Sequence, residues 1–381
     1  MKEFPAPYQV MESLAGYINR AYRDQREKQE GVIQFHLTYK NERLDCYLRF
    51  APEGVSLSKG VAKDPAVTVK STLYHWLDLA AGRLNPLIGI LTGKLRFSGD
   101  TSFFSKVMSE EIFGTDISEY DDPVTDFEKR PHKYWRIPER VLVLNASPRA
   151  GQGYTEFYLE AFLRGLGKTC ASIDMVYLAE QRINRCRGCW YCWLSGTGNC
   201  VFKDKDDFEK INQRYEDADL VVFAFPLYID GMPSLLKDFL ERTVCHYHPY
   251  MIRGHHRTRH PRRKRKKQAV VVFSVSGFPE LDNFRAVKEH FRQITHNSHQ
   301  PIVAEIYRPA GMYLYNNPLL YRELNEVMEA LEMAGEEVGR YGKLSRKTLK
   351  VIQQRIDRVS DFRRLSNLFW KEKIRDNDRT Y

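Results

Sequence analysis

Residues 141–155 read Val-Leu-Val-Leu-Asn-Ala-Ser-Pro-Arg-Ala-Gly-Gln-Gly-Tyr-Thr, and the fold turns on how they are read. The four apolar residues 141–144 predict a strand buried in a parallel sheet. Ser147, Pro148, Arg149, Gly151 and Gly153 follow as a loop. From Thr155, through Phe157, Tyr158, Ala161, Phe162 and Leu166, the apolar spacing becomes helical, and Thr155 is expected as the cap. A strand, a loop of small residues and a helix N-terminus together make an anion site. Open backbone N–H groups and the helix dipole face one spot, within reach of Arg149 and two hydroxyls. An ordinary strand-to-helix turn reads the same way.

Downstream, the pattern alternates. Strands are expected at 172–177, 220–225, 269–275 and 302–307, and helices at 155–166, 206–216, 234–243, 283–296 and 319–340. With 141–144 this predicts an α/β domain over 139–343, an open doubly wound sheet of five parallel strands whose ligands bind at the carboxyl ends. The last segment, 344–381, carries Leu349, Ile352, Ile356, Val359, Phe362, Leu365 and Phe369 at spacings of three and four. It is expected as one basic amphipathic helix, which packs on a domain or docks on an anionic membrane.

Upstream, 1–115 reads as a separate α+β unit. A helix over 11–26 precedes Ile33, Phe35, Leu37 and Tyr39, which alternate with Gln34, His36 and Thr38 as in a half-buried strand. Leu44, Cys46, Leu48 and Phe50 repeat that pattern after a turn, so the two pair as a hairpin. Further strands are expected at 54–58, 66–70 and 94–98, with helices at 72–82, 86–92 and after Asp100. The stretch 116–138 is polar, carries three prolines and reads as a linker.

The run Asp64-Pro65-Ala66-Val67-Thr68-Val69, with Gly82-Arg83-Leu84-Asn85-Pro86 and Gly93-Lys94-Leu95-Arg96-Phe97-Ser98-Gly99-Asp100, resembles the sterol carrier protein (lipid-transfer) family over about residues 30–110. The resemblance implies a curved mixed sheet with helices over one face and an apolar tunnel for a lipid or other apolar ligand. Composition alone does not separate such a tunnel from a solid core.

Composition sets outer bounds. Of 381 residues, 43% are hydrophobic, and the net charge is +10. Nine Lys and Arg with no acid fall in residues 253–267, Arg-Gly-His-His-Arg-Thr-Arg-His-Pro-Arg-Arg-Lys-Arg-Lys-Lys. The rest is nearly balanced, so no nucleic-acid-binding surface is indicated. That basic run reads as a solvated insertion, as a contact for an anionic membrane, or as recognition of an acidic partner or the 2′-phosphate of NADPH. The nearby His246, His248, His255, His256 and His260 are expected as solvated loop residues. No apolar run reaches the roughly 20 residues of a membrane span. No secretory signal is visible, and a cytoplasmic location is expected.

Two more loops fall at expected strand ends: Phe225-Pro226-Leu227-Tyr228-Ile229-Asp230-Gly231-Met232-Pro233-Ser234, and Ser274-Val275-Ser276-Gly277-Phe278. With the first loop, their order resembles the flavodoxin-like NAD(P)H-dependent FMN reductase family, and its iron–sulfur flavoprotein branch in particular, over about residues 141–341. By that resemblance the FMN phosphate sits on Ser147, Arg149, Gly153, Tyr154 and Thr155. Pro226, Leu227, Tyr228 and Ile229 flank the ring, and Ser276 and Gly277 close its pyrimidine side. Tyr154 stands where the family usually carries Asn. Homo-oligomers are implied as well.

Cys186, Cys189, Cys192 and Cys200 are spaced x2, x2 and x7. Three thiolates at intervals of three can wrap a cuboidal cluster, and a fourth can close it. The spacing resembles the 4Fe–4S pattern of that branch; a zinc tetrathiolate or free thiols are the alternatives. Asp206 and Asp207 are expected to cap the next helix. No Ser-His-Asp or paired-carboxylate arrangement stands out, so no catalytic side chain is assigned. The expected activity is an FMN-dependent NAD(P)H oxidoreductase or electron-transfer flavoprotein acting on an acceptor, lipid-like if the N-terminal unit delivers it. The alternative is a lipid-binding or membrane-associated interaction protein with a non-catalytic flavodoxin-like scaffold.

Overall fold

The computed structural model describes residues 6–23, 28–81, 83–108, 125–254, 257–264, 266–356 and 359–377. The chain divides into two units, Met1–Asp116 and Ile117–Tyr381.

The first unit carries β1 (Gly31–Tyr39), β2 (Glu42–Ala51), β3 (Gly54–Lys59), β4 (Val67–Thr72) and β5 (Leu95–Gly99) in the order β3-β2-β1-β4-β5. The β1–β2, β2–β3 and β4–β5 pairs are antiparallel, and β1 runs parallel to β4. The period-2 alternation seats Ile33, Phe35 and Leu37 in the core. Gln34, expected outside, is buried too, and its amide group bonds Cys46 O, Gly60 O and the Ala62 N–H. Helix α1 (Pro7–Arg23) buries Met11, Ala15, Ile18 and Tyr22, one face at helical spacing. Three short helices follow, α2 (Leu73–Ala80), α3 (Pro86–Leu91) and α4 (Thr101–Val107). Asp100 caps α4 through the N–H groups of Ser102 and Phe103. Tyr22, Phe35, Phe50, Trp76 and Phe103 pack into one buried core. A cavity of about 1310 Å³ is lined by Leu14, Leu77, Ile90, Phe97 and Phe104, among others.

The second unit is built on β6 (Arg140–Asn145), β7 (Ser172–Tyr177), β8 (Leu220–Pro226), β11 (Ala269–Val275) and β12 (Ile302–Arg308); β9 (Ile252–Gly254) and β10 (Arg257–Arg259) form a separate hairpin. The large sheet is all parallel, in the order β12-β11-β8-β6-β7. Counted along its own strands this is 2-1-3-4-5, the flavodoxin-like doubly wound order, whose switch point lies between β6 and β8.

Alternate strand residues face opposite cores. Val141, Val143, Val222 and Val271 pack toward α6 (Tyr154–Gly167) and α12 (Tyr321–Tyr341). Leu142, Leu144, Val221 and Val272 pack toward α8 (Phe208–Asp217), α9 (Ser234–Arg242) and α10 (Arg285–Ser298). The α6–α12 contact needs glycine. A Cβ on Gly165 would lie 1.8 Å from the Glu332 carbonyl oxygen, and one on Gly335 would lie 2.0 Å from that of Phe162.

Three expectations change. From Thr125 on, the stretch read as linker packs on the second unit. It forms α5 (Asp126–Lys129), buries Phe127, and donates the Trp135 indole N–H to Gly339 O at 2.9 Å. The earlier part of that stretch lies outside the described residues.

The C-terminal segment is two helices, α13 (Arg346–Ile352) and α14 (Val359–Asn377). Buried Arg308 explains the break. Its guanidinium takes the carbonyls of Ile352 and Gln354, which a continuing helix would use itself.

Several described residues of the basic run are engaged by the fold, while Arg253, Lys264 and Lys267 are exposed. Arg262 donates to Ser298 O, Lys264 pairs with Glu216 and Lys266 with Asp219, while Arg263 reaches back to the cysteine loop. His246 is buried with its Nε2 2.6 Å from Asn212 Oδ1 and its ring stacked on Tyr215. His255 and His256 lie outside the described residues. No helix among the described residues is long and apolar enough to cross a membrane.

Candidate functional site

Strands β6, β8 and β11 are neighbours in the sheet, so their carboxyl ends bring all three expected loops to one rim. The first loop is fixed from beneath. Asn145 ends β6, and its Oδ1 accepts the Ser147 N–H at 2.9 Å. Its Nδ2 donates to Glu156 at 2.5 Å, and Glu156 also accepts the Tyr177 hydroxyl at 3.0 Å. Burial raises the Glu156 carboxyl above its ordinary range. Tyr177 rises to about 12, through burial first and then its bond to Glu156.

Ser147 is 3% exposed, and its Oγ accepts the Arg149 N–H. Ala150 takes a left-handed backbone to turn the loop. Helix α6 starts at Tyr154 with Gly153 as its N-cap and no side-chain cap. Thr155 is therefore not the cap; it is buried inside the first turn. The N–H groups of that turn are left open. A Cβ on Gly153 would come within 2.7 Å of Ser147 Oγ, so any larger residue here would push that hydroxyl out of the cradle. Arg149 is exposed beside it. Tyr154 turns away from the loop: its ring packs on Tyr315 at 5.4 Å, and its hydroxyl accepts from Asn316.

In the second loop, Tyr228 and Gly231 exchange two backbone hydrogen bonds of 3.0 Å. Ile229 and Asp230 between them both have positive φ, as in a type I′ turn. A β-branched residue is strained there, and the Ile229 side chain is fully exposed. Leu227 N–H donates to Val275 O, tying this loop to β11, while Pro226 and Leu227 stay half-buried. In the third loop, the buried Ser276 donates its hydroxyl to Phe278 O at 2.9 Å. Gly277 is exposed with open space beyond its Cα.

Cys186, Cys189, Cys192 and Cys200 all line one largely apolar cavity of about 320 Å³. Burial, then the nearby thiols of Cys200, Cys189 and Cys186, raises the Cys192 thiol. Among the described residues no three His, Cys, Asp or Glu side chains are gathered closely enough to hold a single metal ion.

Three supports of this site were not read from the sequence. The carboxylate of Asp206 accepts Asn184 N–H at 2.8 Å and pairs with Arg242, both side chains 1% exposed. That pair fixes the start of the cysteine loop to α9. Asp206 Oδ1 also takes Phe208 N–H, as a capping residue would, whereas Asp207 takes Arg182 N–H instead. Arg263 grips the same loop, donating to Cys192 O at 3.2 Å, Gly196 O at 2.9 Å and Tyr247 O at 3.1 Å. Cys245 lies close by, its thiol pushed up to about 12 by burial and by Cys192 and Cys200. Trp193 stacks on Trp190 at 4.7 Å and meets His260 at 4.6 Å.

Strand order and rim define a flavodoxin-like α/β unit joined to an α+β unit with an apolar cavity. Residues 140–309 match the family described as NADPH-dependent FMN reductase, and residues 13–109 match the SCP-2 sterol transfer family. Both resemblances read from the sequence therefore stand. An iron-sulfur flavoprotein of Archaeoglobus fulgidus is 27% identical over 141 residues, 37% of this chain and 57% of that protein. A second protein of that description from the same organism is 27% identical over 104 residues, 27% of this chain and 48% of its own length, so the chain spans about half the length of the curated relatives it matches. The FMN-dependent NADH-azoreductase of Bacillus anthracis, solved with FMN, gives a TM-score of 0.42 at 14% identity, covering 53% of this chain and 100% of that one.

Proposed function

We propose that the chain is an FMN-dependent NAD(P)H oxidoreductase. The observation that carries this is the uncapped start of α6 beside Ser147 and Gly153, at the sheet's switch point. The match of residues 140–309 to the FMN reductase family supports it. Ser147, Arg149 and the first-turn N–H groups would hold the phosphate, with Gly153, Tyr154 and Thr155 supplying backbone. Tyr154 would give no side-chain contact, since its hydroxyl is engaged by Asn316. Pro226, Leu227, Tyr228 and Ile229 would wall the ring, and the open space at Gly277 would admit its pyrimidine edge beside Ser276. Bound FMN supplies hydride and electron chemistry; the protein supplies orientation and electrostatics.

Cys186, Cys189, Cys192 and Cys200 would hold a 4Fe–4S cluster. Arg263, which donates to Cys192 O, would hold the loop that carries them. The 1310 Å³ cavity of the first unit supports binding of an apolar ligand there. Assay of flavin, iron and sulfide after anaerobic purification tests the proposal. Flavin with iron and sulfide supports it in full, flavin alone removes the cluster, and a protein that neither retains nor takes up FMN ends it.

A further inference from the structure

Helix α3 stands between two unlike surfaces of the first unit. Its Pro86 and Ile90 line the apolar cavity of about 1310 Å³. Thr92 and Gly93, which follow it directly, line a groove of about 560 Å³. The groove lies on the face of the sheet turned away from the core, since its His36 and Lys70 alternate with the buried Phe35 and Val69. Asn85 caps α3 through the N–H groups of Leu87 and Ile88. Gly89 seats it, because a Cβ there would lie 2.5 Å from Leu95 Cδ1. The other side of the helix is free. Leu87, Ile88 and Leu91, spaced to share one face, are 70%, 55% and 85% exposed. Three large aliphatic side chains on a helix of six residues make an exposed apolar wedge.

The groove beside the wedge is cationic. Arg43, Lys70, Lys94 and Arg96 line it, and among the described residues no Asp or Glu does. Arg43 is already paired with Asp45 at 2.8 Å. Lys70 lies directly across from Arg96 in the β4–β5 ladder, and Lys70, Lys94 and Arg96 are all exposed. Like charges set opposite each other destabilise a sheet, so an anionic surface over the groove relieves a cost built into the fold. A free anion would answer the groove and leave the wedge in water. A bilayer answers both: lipid phosphates lie over the cations, and hydrocarbon takes the aliphatic side chains beneath them.

We propose that the first unit docks on an anionic phospholipid bilayer through α3. Leu87, Ile88 and Leu91 enter the boundary between headgroups and acyl chains, and Lys70, Lys94 and Arg96 rest on the lipid phosphates. This docking stands or falls independently of the flavin reading and of what the apolar cavity holds.

Co-sedimentation of the full chain with vesicles tests it, using phosphatidylcholine alone and an equal mixture of phosphatidylcholine and phosphatidylserine. The wild type is expected to bind the mixed vesicles at least tenfold more tightly than the neutral ones, and to lose that preference at high salt. Leu91→Glu puts a carboxylate into the wedge at an exposed position and should weaken binding at least tenfold. Lys70→Gln combined with Arg96→Gln, both exposed, should weaken it severalfold. Val61→Glu, exposed beyond β3 at the far edge of the sheet, should leave it unchanged. Inorganic phosphate should displace the protein no better than chloride of equal ionic strength. Binding to neither vesicle, equal binding to both, undiminished binding in either the Leu91 or the Lys70/Arg96 variant, the same loss in Val61→Glu, or selective displacement by phosphate overturns the proposal.

Discussion

Arg263 donates from its guanidinium to the main-chain carbonyl of Cys192 at 3.2 Å, so a residue of the basic run holds the centre of the cysteine loop. Its other two bonds, to Gly196 O and Tyr247 O, complete the clasp. Each such charge-assisted bond contributes roughly 1.5–3 kcal/mol. Arg263→Ala is expected to free the loop. Alkylation of Cys189 and Cys200 in metal-free protein, followed by mass spectrometry, should accelerate at least severalfold. Arg253→Ala, an exposed residue of the same insertion, should leave the rate unchanged. Equal rates in all three proteins would show that the clasp does not order the loop.

Gly153 is predicted to be the most sensitive backbone position of the flavin site. The methyl group of Gly153→Ala meets Ser147 Oγ at 2.7 Å and forces that hydroxyl to move. Only a side-chain tip must shift, so the stability loss should stay near ~1 kcal/mol. FMN affinity should fall about tenfold, equivalent to ~1.4 kcal/mol. A fluorescence titration with FMN measures this, and an unchanged affinity would detach Ser147 from the phosphate.

The pH dependence of stability should carry the signature of His246. Burial lowers its pKa from 6.5 to about 4. Between these values the unfolded chain binds a proton that the folded chain does not. Stability is therefore full above pH 6.5 and falls as pH drops toward 4, by roughly 3 kcal/mol. Urea unfolding at stepped pH reads the slope. His246→Gln should flatten it across that window; a slope identical to wild type would mean that other groups set it.

The apolar cavity of the first unit offers an independent check. Ile90 lines it yet is half exposed, so Ile90→Asp should cost little stability. A carboxylate at the cavity wall should weaken binding of a fluorescent fatty acid at least tenfold, because the charge must be desolvated when the chain enters. Binding unaffected by Ile90→Asp would place the ligand elsewhere or nowhere.

Legibility in the sequence followed the strength of local pattern. The strands at Val141, Leu220 and Ala269 carried long apolar runs, so the five-stranded parallel sheet could be read from spacing, whereas its strand order could not. Thr155 misled, because a hydroxyl beside a helix start looks like a cap, whereas here Gly153 takes that position to leave the first turn open. The single helix expected at the C-terminus was broken by Arg308, which is distant in sequence and competes for the carbonyls of Ile352 and Gln354. Long-range partners also decided the basic run: nothing local announces that Arg263 bonds Cys192. Asn145 and Glu156 left a weak trace, a polar residue ending an apolar strand and an acid in the first helical turn. Cys245 left none, since it falls outside the x2-x2-x7 spacing.

The most direct measurement of the central claim is an anaerobic titration of the purified chain with FMN, followed by NADPH and, separately, NADH. The account predicts saturable uptake of one flavin per chain with quenched fluorescence, and bleaching of the flavin's visible absorption by at least one of the two nucleotides. A chain that takes up no FMN, or holds FMN that neither nucleotide reduces, would contradict it.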